Sequence, residues 1–161
     1  MPPVLTPATK TTRTRPVTSL ASRVLVVVDD TCTAPDLCAS VRVIATDQPI
    51  DALVVAPAHG SAVAEWYVDE DAARAEATHR LRTCLSCLAH DGIRVRGRLG
   101  DPDPVRAIAD ALYAFDADEI LLVTGPGEQS GWLRPSAVER VQRTFAQPVR
   151  HIAMPRKEAR R

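Results

Sequence analysis

Three short runs of uninterrupted apolar residues constrain this chain more than any other feature. Residues 23–29 read Arg-Val-Leu-Val-Val-Val-Asp, residues 51–57 read Asp-Ala-Leu-Val-Val-Ala-Pro, and residues 119–123 read Glu-Ile-Leu-Leu-Val. None alternates apolar with polar side chains, so neither face of these segments is suited to water. That is the pattern of strands in a parallel sheet covered by helices on both sides.

The intervening segments carry helical spacing. Over residues 35–46, Leu37, Val41 and Ile44 fit a short helix; the β-branched residues at 41–44 would also suit a strand, and the helix is the expectation carried forward. From Asp69 to His90 the positions Ala73, Ala77, Leu81, Cys84, Leu85 and Leu88 recur at helical spacing, and Asp69, Glu70 and Asp71 favour the positive end of the helix dipole. Gly92 is expected to end that helix as its left-handed C′ residue. Residues 93–99 alternate Ile93, Val95, Gly97 and Leu99 with Arg94, Arg96 and Arg98, the pattern of a half-exposed strand near a sheet edge, its arginines a solvated face. Asp103 and Pro104 form an N-cap and first-turn proline for a helix with a stripe of Ala107, Ile108, Ala111, Leu112 and Phe115. Ser136 and Glu139 are spaced as a capping box for a last helix, and residues 148–154 complete a fifth strand. Strands alternating with helices imply an α/β fold: a doubly wound, five-stranded parallel sheet with helices on both faces.

The chain has 161 residues, 45% hydrophobic and 25% charged, enough for one core, which is placed at residues 23–155. Residues 1–22 hold Pro2, Pro3, Pro7 and Pro16 among threonines with no acid, and read as a disordered basic tail; residues 156–161 read as a second basic tail. The first of these has the composition of a transit peptide, but its prolines interrupt an amphipathic helix. Twenty basic residues balance twenty acidic ones, which disfavours nucleic acid and an anionic membrane as partners. With no long apolar run and no secretory apolar core, a cytoplasmic protein is expected. Cys84 and Cys87 fall on the apolar stripe of the long helix and read as small hydrophobes; a lone C-x-x-C in mid-helix is a poor zinc or redox motif.

In a doubly wound sheet ligands sit outside the carboxyl ends of the strands. The candidate positions are Asp29 and Thr31 after the first strand, Ala56 and Pro57 after the second, Gly100 after the third, and Thr124, Gly125, Gly127 and Ser136 after the fourth. Glycine admits close approach of backbone N–H groups to phosphate, and the helix that follows presents further free N–H groups; the alternative is that Gly125 and Gly127 only shape a turn. Asp29 and Asp30 suit a ribose, a base or a cation, or a simple turn. The histidines assemble no mechanism, and no hydrolase, zincin or deaminase signature is present, so no catalytic residue and no metal ligand is assigned.

Several segments resemble the universal stress protein superfamily over residues 23–155. Residues 100–108, Gly-Asp-Pro-Asp-Pro-Val-Arg-Ala-Ile, are similar to its glycine and proline turn before an isoleucine-bearing helix; 117–123 resembles its fourth strand, and 136–141 with Gln147-Pro-Val its closing helix and strand. Residues 54–58, Trp66 and 69–74 are similar to a divergent branch of short stress-protein-like chains. The resemblance implies a cytoplasmic regulator in the stress response, a homodimer, with ATP or AMP, and Mg, as ligands at the carboxyl edge. ATP-binding members carry G-x-x-G-x(9)-G-[S/T] and an aspartate ending strand one. Asp29 matches the aspartate and Ser136 the hydroxyl, but Val123 replaces the first glycine and Pro135, which has no N–H, the last. The other function this pattern allows is a dimeric interaction module that binds no nucleotide and catalyses nothing.

Overall fold

A computed structural model describes residues 21–29, 32–46, 49–58, 70–125 and 132–154. Its elements are β1 (Ser22–Val28), α1 (Ala34–Ala45), β2 (Ile50–Pro57), α2 (Glu70–His90), β3 (Arg94–Gly100), α3 (Pro104–Ala114), β4 (Glu119–Thr124), α4 (Pro135–Thr144) and β5 (Val149–Ala153). The strands form one sheet in the order β3-β2-β1-β4-β5, every neighbouring pair parallel. The three apolar runs become the three central strands. Their residues from Val24 to Val28, Ala52 to Ala56 and Ile120 to Val123 are all buried, which is why they needed no polar alternation.

Alternate residues of those strands feed two separate cores. Val24, Val26, Val54, Leu121 and Val123 face Leu37, Val41, Leu81 and Leu88 of α1 and α2. Leu25, Val27, Val55, Ile120 and Leu122 face Ala107, Ile108, Ala111, Val138 and Val141 of α3 and α4. The β3 edge strand is half-exposed, as its alternation requires, and so is the other edge strand, β5. Its arginines do more than meet water: Arg96 lies 5.7 Å from the centroid of Phe115, and Arg98 Nη1 reaches the Asp110 carbonyl at 3.5 Å.

Local chemistry explains the helix ends. The Thr33 side chain accepts from Asp36 N to cap α1, settling the helix-or-strand ambiguity of 35–46. Asp103 caps α3 by accepting from Val105 N at 3.1 Å, with Pro104 in its first turn. Gly92 follows α2 at φ 79°, the one backbone position in the described residues that demands left-handed geometry. Three expectations are corrected. β1 begins at Ser22, paired with Ile50, so the folded region reaches into what was read as the 1–22 tail. Ser136 is not an N-cap: α4 starts at Pro135, its cap position is Arg134, and no side chain caps it. Proline's fixed φ suits the first helical turn, so the helix begins two residues before the capping-box spacing implied. Cys87 is not a free small hydrophobe but is disulfide-bonded to Cys38 of α1, with Cα atoms 6.4 Å apart. Spacing along α2 gives no sign of a partner carried by another helix.

Candidate functional site

The strand order reverses between β1 and β4, so the crevice beyond their carboxyl ends is the topological switch point. Asp29 lies there, following β1, its N–H bonded to the Val123 carbonyl at 3.0 Å. Only 2% of the residue is exposed. Asp29 Oδ1 accepts from the backbone N–H of Trp132 at 3.3 Å and of Leu133 at 3.4 Å. Both bonds are long, but a buried carboxylate makes them charge-assisted. This aspartate therefore anchors the chain returning from β4 to α4.

Trp132 extends the same tie to β3. Its indole N–H donates to the carbonyls of Asp101 (3.2 Å) and Pro102 (3.1 Å), which brings the ring over Gly100. A Cβ at Gly100 would stand 2.8 Å from Ala107 Cβ, 2.9 Å from Val55 Cγ1 and 3.4 Å from Trp132 Cη2, so only glycine fits. Gly100, a candidate position at the carboxyl edge, is required there by the close approach of α3, β2 and an indole. Trp132 thus packs over the domain, whereas Trp66 lies outside the described residues.

The remaining candidate residues divide between two concavities. Asp29, Ala56 and Pro57 meet Arg80 and Cys84 around a pit of about 20 Å³, room for no more than a water. Thr124 and Gly125 open instead onto a cleft of about 430 Å³ between α4 and the edge strand β5, walled by Pro135, Glu139 and Gln142 on one side and His151, Ala153 and Met154 on the other. That volume lies within the range of small-molecule sites. Ser136 stands in the first turn of α4, next to Pro135 of the cleft wall. Thr31 and Gly127 lie outside the described residues.

His151, set aside in the sequence as a strand residue, belongs to the cleft. It pairs in register with Leu122, on the same sheet face as Thr124, and its Nε2 lies 3.0 Å from Thr124 Oγ1. Burial lowers its pKa from the ordinary 6.5, favouring the neutral ring. The period-two alternation of β4 and β5 places Thr124 and His151 on one face, which was the available clue; Glu139 and Gln142 follow once α4 is laid on that face. At the mouth, the first N–H groups of α4 have no intrahelical acceptor and, among the described residues, no cap from the side chain at the N-cap position, although Pro135 contributes none.

Among the described residues no cluster of three metal-ligating side chains occurs. The cysteines beneath the edge are not nucleophiles in waiting. Burial, reinforced by Asp36, the Cys84 thiol and Asp29, pushes the Cys32 thiol up to about 12, and burial also raises Cys84 against the opposing influence of Arg80. No protein-family model and no curated protein matches the sequence.

Solved structures do match. A protein from the universal stress protein family of Burkholderia pseudomallei superposes with a TM-score of 0.57 at 22% identity, covering 83% of this chain and 97% of that one. The chain has the universal stress protein fold. The Archaeoglobus fulgidus universal stress protein in complex with dAMP gives a TM-score of 0.57 at 21% identity over 83% of this chain and 98% of that one. A universal stress protein in complex with cAMP gives 0.51 at 20% identity, over 82% and 97%. The universal stress protein fold accounts for the five-stranded order and for a switch point between β1 and β4.

Proposed function

We propose that this chain is a cytoplasmic, non-catalytic regulator that binds an adenine mononucleotide in the cleft between α4 and β5. The observation that carries the reading is the cleft itself: about 430 Å³ opening at Gly125 and the first turn of α4, in a fold whose solved examples include complexes with dAMP and cAMP. The phosphate belongs at the Gly125 and Ser136 end, where helix N–H groups and the dipole favour an anion. The base and ribose belong toward Gln142 and His151, at the other end of the cleft from Gly125.

AMP suits these residues better than Mg-ATP. Pro135 removes a phosphate donor, and the Asp29 carboxylate already accepts two backbone N–H groups. Those two features also favour a second reading, an interaction module that binds no nucleotide. For either, self-association is expected at β5, because the opposite edge strand, β3, would align rows of arginines against their own copies.

Calorimetric titration with AMP and with ATP, each with and without magnesium, separates the two readings. Binding of AMP in the micromolar range, independent of magnesium and abolished by Gln142→Trp at the exposed cleft rim, supports the first. Flat titrations of folded protein support the second.

A further inference from the structure

The four cysteines, unremarkable along the sequence, converge in one seam. Cys32 precedes the α1 cap and Cys38 lies within α1, while Cys84 and Cys87 are one turn apart on α2. Packing α1 beside α2 sets Cys38 against Cys87, which are bonded, and brings Cys32 close enough to Cys84 for their charges to interact. Cys84 also lines the pit containing Asp29, Ala56 and Pro57, so the seam runs up to the carboxyl edge of the sheet. Cys38 is 1% exposed but Cys87 is half-buried, so an exchanging thiol reaches the bridge through the α2 sulfur.

We infer that the Cys38–Cys87 bridge is a reversible redox clamp that fastens α1 to α2 beneath the carboxyl edge. In the closing direction the two thiols react with the disulfide of a small thiol, forming the Cys38–Cys87 bond and releasing two molecules of that thiol. In the opening direction two small thiols are oxidised to their disulfide and both cysteines regain protons. The bridge joins residues 49 positions apart, a span containing all of β2 and most of α2, so the unfolded chain is strongly constrained by it. The neighbouring thiols do not scramble it, because burial keeps Cys32 and Cys84 protonated and only a thiolate attacks a disulfide. A further tie, between α1 and the residue that follows α2, is the Arg42–Asp91 pair, at 2.7 Å and on an exposed guanidinium. The clamp is thus a covalent tie laid over an apolar seam, beside an ion pair that is open to solvent.

The test uses the full chain. Alkylation in denaturant followed by mass measurement should find two reactive thiols in air-oxidised protein and four after reduction, with peptide mapping joining 38 to 87. Reduction should lower the melting temperature by about 6–12 °C, and glutathione disulfide should restore it. Cys38→Ala/Cys87→Ala should melt at the reduced value with or without reductant, whereas Cys32→Ala/Cys84→Ala should keep the response. The wild-type reductant series decides the matter even if a double variant fails to fold. Four reactive thiols before reduction, a bridge mapped to other cysteines, a melting temperature indifferent to reductant, or stoichiometric zinc released on alkylation would each overturn the clamp.

Discussion

The two helical layers of this sheet are fastened in opposite ways. On the α1–α2 face the ties lie within the helical layer: the Cys38–Cys87 bond and the Arg42–Asp91 pair join the two helices directly. On the α3–α4 face the ties run to the sheet edge, where Asp29 holds Trp132 and Leu133, and Trp132 holds the turn before α3. One direct polar contact between the α4 and α3 segments is the exposed Arg140–Asp103 pair at 3.5 Å. One face is therefore tied by a bridge that answers to solution redox state, and the other through a buried carboxylate at the carboxyl edge of the sheet.

Breaking the second arrangement should have a large effect. Asp29→Ala leaves two N–H groups beside a buried void and is expected to cost about 2–4 kcal/mol in urea unfolding, equally in reduced and oxidised protein. A cost that appeared only after reduction would mean that the two faces are coupled. Gly100→Ala drives a methyl against Ala107 and Val55 and should cost about 1–3 kcal/mol, with a change in tryptophan fluorescence as the indole is displaced.

Smaller effects follow from the titrating groups. His151 has a lowered folded pKa, so the unfolded chain binds the proton more readily. Its contribution is complete above pH 6.5 and fades as pH falls below that value; His151→Gln should flatten the modest slope of stability between pH 7 and pH 5. Asp91, held below its ordinary 3.8 chiefly by its hydrogen bond from Arg42, contributes above that pH and loses its contribution as pH falls further. Arg42→Ala should be the mildest change of all, and it should vanish in high salt because the guanidinium is exposed.

The fold was legible because its signals are local. Unbroken apolar runs, the Asp103-Pro104 start, Gly92 and the alternation of residues 93–99 each act over a few residues and each corresponds to an observed feature. The site was less legible because its decisive contacts join distant positions. Asp29 lies at the carboxyl edge of the sheet, as its place after the first apolar run implied, but nothing near it shows that its carboxylate meets N–H groups more than 100 residues on. The cleft needs Thr124, His151 and Glu139 from three elements, and the four cysteines form one seam only when α1 and α2 are laid side by side. Ser136 shows the limit even of local reasoning: its spacing to Glu139 was that of a capping box, and the adjacent proline moved the helix start.

The most direct test of where this protein meets its ligand is the change in backbone amide shifts of the labelled full chain on adding AMP. The account predicts shifts concentrated at Gly125, Ser136, Gln142 and His151, with Arg94 to Arg98 on the far edge unmoved. Spectra unchanged at saturating AMP, or changes centred on β3 and α3, would contradict it.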